Sequence, residues 1–206
     1  MLLTFGSLGQ AKAVVVADSL NEYSGNQGEN NWFYGYYDGN LTSDTFKLFP
    51  TFESNVWYNL SWGSGSYWTR MYPNGGCPNG TNGNMGRLPV EQWCVRRWVS
   101  EISGTISISG SIGSLNGGNM FTHVIVDGTE VFLQQVTEST YIFDTDVNLG
   151  SNVDFVISPN NHNDVNGDTK FTAVIDAVPE PSSLILISAG AISLLAYVLR
   201  RRRHAA

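Results

Sequence analysis

The sequence predicts an all-β protein: a two-sheet β-sandwich of the jelly-roll kind, followed by a single C-terminal transmembrane helix. Three observations predict it. Between residues 14 and 178 apolar side chains recur mostly at a spacing of two, with no sustained helical periodicity. Polar, Gly- and Asn-rich connections divide that stretch into eight to ten short runs, as sandwiches and jelly rolls require. Residues 184–199, LILISAGAISLLAYVL, carry no charge and run straight into Arg200, Arg201, Arg202 and Arg203.

The strands follow in order. Early ones are predicted over 14–17, 31–37, 46–49, 55–60 and 92–99, where β-branched and aromatic residues dominate. Thr105-Ile106-Ser107-Ile108-Ser109 alternates cleanly and turns Ile106 and Ile108 inward. Residues 121–126, FTHVIV, reach Asp127-Gly128, a hairpin turn into 130–136. Further strands fall at 141–147, 153–158 and 170–176. No segment of this body supplies the crossover helices that a parallel sheet needs.

Two stretches interrupt the alternation. Residues 61–89 set Trp62, Tyr67, Trp68 and Tyr72 among glycine, asparagine and proline, which reads as a long surface loop. Residues 159–169, PNNHNDVNGDT, place Asp164, Asn166 and Asp168 at alternate positions, a candidate set of oxygens for a structural Ca²⁺. The twelve-residue loop with a terminal glutamate is absent, and Asn/Asp/Gly clusters are ordinary turn formers. No other cofactor is indicated.

Charge narrows the function. The whole chain of 206 residues has a formal charge of −7. Residues 14–180 hold six basic against eighteen acidic side chains, a net of −12. Such a body repels phosphate backbones, which excludes nucleic acid as a partner. Charged residues make up 14% and aromatics 12% of the chain, unlike a disordered segment, so about 165 residues fold around a real core. Cys77 and Cys94 are the only cysteines, and in an exported chain a disulfide between them would staple the irregular middle.

Aromatics beside polar groups suit sugar rings, whose C–H faces stack on Trp or Tyr while hydroxyls bond Asp, Asn or Arg. The candidates are Trp62, Trp68, Tyr72, Tyr36 and Asp38; Trp32, Trp93 and Trp98 lie in strand-like runs and read as core. Of the adjacent Arg96 and Arg97, alternation turns only one to each face. Catalysis finds little support: His123 sits in a strand, and no nucleophile elbow, Ser/His/Asp order or zinc cluster is present. The expectation is a protein that is not an enzyme. A glycoside hydrolase would need two opposed carboxylates, which sequence cannot display.

The ends read as targeting sequence. Residues 1–13 end in Ala11-Lys12-Ala13 and look like a signal peptide, its apolar part short and lacking a positive start, as in a chain begun too far downstream. Sixteen apolar or small residues at 184–199 rise about 24 Å as a helix. The arginines behind them stay cytoplasmic and place the body across the inner membrane. Before them, Pro179, Glu180 and Pro181 hold the chain extended and exposed.

The order Pro-Glu-Pro, apolar helix, arginine cluster over 178–203 resembles the PEP-CTERM sorting signal of Gram-negative bacteria. That resemblance implies export by the secretion machinery, then recognition of residues 179–203 by a membrane-embedded exosortase that processes the tail, leaving the domain on the cell surface or outside. The segments Trp32–Asp38, Trp93–Ser100, Ser103–Ile106, Asp127-Gly128 and Val153–Phe155 resemble, over about residues 28–176, the galactose-binding-like or carbohydrate-binding-module-like ectodomain of such proteins. The resemblance implies a surface or extracellular-matrix protein that binds carbohydrate or associates with exopolysaccharide. The alternatives are a structural envelope component with no ligand and, third, a hydrolase.

Overall fold

The structure, a computed structural model, describes residues 13–39, 46–59, 65–82, 86–161, 163 and 167–178. Val15–Ala177 form a compact unit of their own. Its strands in chain order are β1 (Val14–Asp18), β2 (Trp32–Tyr37), β3 (Lys47–Leu48), β4 (Thr51–Glu53), β5 (Val56–Tyr58), β6 (Arg70–Tyr72) and β7 (Gly75–Cys77). There follow β8 (Trp93–Val99), β9 (Gly104–Ser114), β10 (Phe121–Val126), β11 (Thr129–Gln135), β12 (Ser139–Val147), β13 (Asn152–Ser158) and β14 (Thr169–Ala177).

They make two antiparallel sheets. An eight-stranded sheet runs β12-β9-β14-β7-β6-β5-β4, with β1 also paired to β14. A six-stranded sheet runs β11-β10-β13-β8-β2-β3. Alternation sends Trp32, Tyr34, Trp98, Val153 and Phe155 of the second sheet against Ile106, Ile108, Phe171 and Ile175 of the first, and these buried side chains form the main core. The predicted inward turn of Ile106 and Ile108 is observed. So is the hairpin: Asp127 and Gly128 both have positive φ, 47° and 82°, the two-residue turn whose twist matches its strands.

Three expectations are corrected. The stretch 61–89 is not one long surface loop, because β6 and β7 pair within it and join β14, with Met71 facing the core. Glycine and proline hid these three-residue strands, which long-range pairing stabilises whatever their intrinsic propensity. The expected fold class also included a transmembrane helix. It is corrected to two antiparallel sheets of a sandwich: no helix among the described residues is long and apolar enough to cross a membrane. The expected span at 184–199 lies outside the described residues, as do residues 1–12 of the signal peptide expected over 1–13. Third, no disulfide joins the cysteines, for Cys94 is a buried free thiol. Cys94 points into the core beneath Gly76, where an added Cβ would come within 2.8 Å of its sulfur. Cys77, the next residue, belongs to the other face of β7, opposite Arg70 of β6.

Candidate functional site

A two-layer sandwich needs only one apolar face per sheet, yet the six-stranded sheet has two. Strand pairing places Phe33 opposite Arg97, Arg97 opposite Asp154, Gly35 opposite Val95, Tyr37 opposite Trp93 and Asn152 opposite Val99. All these side chains point away from the main core. Tyr37, Val95, Ile125 and Val156 form a second buried cluster there, covered by Phe46 and Trp93. Gly35 is what lets Phe46 lie down on the sheet, since a Cβ at position 35 would stand 2.8 Å from its ring.

Polar groups set into this face bond one another at its centre. Arg97 donates from Nε to Asp154 Oδ1 at 2.6 Å and from Nη2 to Oδ2 at 2.8 Å, a bidentate pair. The Tyr37 hydroxyl donates to the same carboxylate. Burial alone would lower the Arg97 guanidinium, but the hydrogen bonds and charge of Asp154 outweigh it and hold it above its ordinary value. Burial, and then Asp154, push the Tyr37 phenol up. The guanidinium carbon lies 4.0 Å from the centre of the Phe46 ring.

Beside this pair a pocket of about 270 Å³ opens, lined by Phe33, Phe46, Leu48, Arg97, Val99 and Asn152. Arg97 uses Nε and Nη2 but leaves Nη1 without a hydrogen bond among the described residues. The Asn152 carboxamide is equally open, while its backbone is tied to Asp127. The pocket thus combines four apolar walls with one cationic donor and one amide.

At the other end of the same face, His123 Nδ1 meets Glu130 Oε1 at 2.6 Å and Nε2 meets Ser158 Oγ at 2.8 Å. A carboxylate accepts only, so Nδ1–H donates to Glu130 and Ser158 donates to Nε2. Burial lowers the His123 pKa against the opposing pull of Glu130. The connectivity is that of a nucleophilic triad. Its serine, however, is only 3% exposed, and Trp93 stacks on the imidazole at 5.6 Å and 8°. An attacking hydroxyl needs an open approach, and these groups instead lock β10, β11 and β13 together.

The residues singled out in the sequence lie elsewhere. Tyr36 turns into the main core, where its hydroxyl accepts from Asn59 at 3.1 Å. Asp38 is paired with Lys47 and accepts from Gln92. Trp68 is half-buried with the Arg87 guanidinium 4.2 Å from its ring centre, so one stacking face is covered. Tyr72 donates its hydroxyl to Asp168, and Arg70 bonds the same carboxylate at 2.7 Å. Asn116 takes the remaining oxygen of Asp168, which ties this proposed calcium ligand to three protein donors. Trp62, Asp164 and Asn166 lie outside the described residues, as do Pro179, Glu180, Pro181 and Arg200–Arg203. Among the described residues no group of three or more His, Cys, Asp or Glu is placed to hold a metal ion.

Sequence reading missed Phe33, Phe46 and Asn152. A signal was present: in Trp32-Phe33-Tyr34-Gly35-Tyr36-Tyr37, aromatics occupy both parities, so this strand has to be apolar on two faces. Trp32 and Trp98 are core as expected, and Arg96 and Arg97 do take opposite faces.

Comparison with known proteins adds the context. Two antiparallel sheets and a sorting tail define an exported surface protein of sandwich type. Residues 177–203 match the family model of the PEP-CTERM protein-sorting motif. Proteins bearing this motif are exported and processed at the cell surface by exosortase, so the chain crosses the inner membrane and exosortase is its partner. No curated protein matches the chain. Among solved structures it has a distant resemblance to the native structure of a family 35 carbohydrate binding module from Clostridium thermocellum. The TM-score is 0.33 and the identity 12%, over 81% of this chain and 96% of that one. For the Podospora anserina GH26-CBM35 β-(1,4)-mannanase the TM-score is 0.34 and the identity 11%, over 72% of this chain and 29% of that one. For a ruminal GH26 endo-β-1,4-mannanase they are 0.29 and 15%, over 43% and 18%. The chain therefore spans less than a third of either mannanase.

Proposed function

We propose that the exported domain binds carbohydrate of the extracellular matrix, through the outer face of its six-stranded sheet and without catalysing a reaction. The observation that supports this reading is the pocket itself. Its rings and aliphatic groups offer C–H contacts, and Arg97 Nη1 and Asn152 offer hydrogen bonds that no described residue uses. Sugar recognition needs this pairing of an apolar platform with a few polar groups. The bidentate Asp154 pair holds the guanidinium still before a ligand arrives, which lowers the ordering cost of binding. The burial of Ser158 favours binding over hydrolysis.

The test is a glycan array probed with the purified protein, followed by the Phe33→Ala and Phe46→Ala variants. Binding to a subset of glycans, lost in both variants, is expected. A panel with no bound glycan would overturn the proposal in favour of a scaffold without a ligand.

A further inference from the structure

We infer that the pocket on the outer face of the six-stranded sheet takes an acetyl-bearing sugar residue, a substrate class that rests on the carbohydrate reading above. The count of groups decides it. A plain hexose carries a hydroxyl on nearly every ring carbon, and each one taken out of water needs a partner. The pocket supplies two open polar groups, Arg97 Nη1 and the Asn152 carboxamide, against four apolar walls, Phe33, Phe46, Leu48 and Val99. The pocket is open to solvent, so the part of the sugar that enters it is mostly apolar with one or two hydrogen-bonding atoms, and the remaining hydroxyls stay in water.

An acetyl group has that make-up. Its carbonyl oxygen accepts from a guanidinium N–H, and its methyl takes an aromatic or aliphatic wall. An acetamido group adds an N–H that the carboxamide oxygen of Asn152 accepts. Charge selects the same class over acidic sugars. The Arg97 cation is already matched by Asp154, so a second carboxylate at Nη1 would face the first across one guanidinium. The acidic body, net −12 over residues 14–180, repels it further. Size points to one residue: about 270 Å³ lies just below the range of clefts that enclose drug-sized ligands.

The experiment titrates the full chain with N-acetylglucosamine and N-acetylgalactosamine, with glucose and galactose as unacetylated parents. Affinities come from ligand-observed NMR at millimolar concentrations and from calorimetry. At least tenfold tighter binding of an acetylated sugar than of its parent is expected. Asn152→Ala, which leaves the backbone bonds to Asp127 intact, and Val99→Phe, which fills the pocket, should each weaken it about tenfold. Equal affinity for parent and acetylated sugar, lost in both variants, overturns the acetyl inference and keeps the carbohydrate proposal. An acetyl preference that survives Asn152→Ala and Val99→Phe in folded protein overturns the site. No binding of any of the four sugars, together with a blank glycan array, overturns both.

Discussion

Arg96 gives the sharpest test of how the sandwich is held together. Its side chain is 2% exposed between the sheets and has no ion pair among the described residues. It donates from Nη1 to Ser19 O at 2.8 Å, and from Nη2 to Tyr72 O at 2.7 Å and Pro73 O at 3.0 Å. The rings of Tyr23 and Tyr34 lie 5.5 and 5.9 Å from the guanidinium carbon. Three carbonyls from two turns thus converge on one cation, which ties β8 to the chain after β1 and to the β6–β7 turn. Arg96→Met keeps much of the volume but leaves those carbonyls without a donor, at about 1–3 kcal/mol for each one that stays dry. Removing a buried charge returns part of this, because the guanidinium's own desolvation disappears. The net expectation is a loss of about 2–4 kcal/mol, measured as a lower urea midpoint at unchanged m-value. Arg96→Lys should fall at least as far, since one ammonium keeps the burial cost and cannot span three acceptors. If Arg96→Met matched the parent within about 0.5 kcal/mol, the usual spread of surface substitutions, the latch would contribute nothing and the reasoning would fail.

Three further outcomes follow from the same geometry. Burial depresses the His123 pKa, so the unfolded chain binds the proton first as pH falls below about 6.5, the ordinary histidine value. Stability should therefore decline on acidification through that window, and the His123→Gln variant should show a flatter profile by chemical denaturation at pH 5 and 7.5. Burial also pushes the Cys94 thiol far up, and both cysteines are at most 1% exposed. Native protein should resist a thiol reagent, while denatured, unreduced protein takes up two adducts by intact mass; no adducts would mean a disulfide after all. Gly35→Ala should lower the melting temperature and abolish ligand binding together, because its Cβ would stand 2.1 Å from the Lys47 carbonyl oxygen and 2.8 Å from the Phe46 ring that walls the pocket. Unchanged binding in that variant would separate Phe46 from the site.

Much of the fold was legible because β-structure writes itself as local alternation. The runs at 93–99, 121–126 and 153–158, and the Asp127-Gly128 turn, carry their own geometry in a few adjacent residues. The strands at 70–72 and 75–77 do not: Gly75 and Gly76 form ladder bonds only because β14 and β6 lie alongside. Aromatic-rich loops were the natural place to look for a binding site. Yet Trp68 and Tyr72 hold Arg87, Arg70 and Asp168, and the open polar groups sit on a flat sheet face instead.

By itself, then, the sequence determined that the body is built of strands and that residues 177–203 address it to the cell surface, since both messages are read over short contiguous stretches. It also determined that Arg96 and Arg97 part to opposite faces. Only the tertiary structure decided which of them is buried as a latch and which opens into a pocket. Alternation says that neighbours diverge, but which face becomes core depends on the sheet that arrives from elsewhere in the chain.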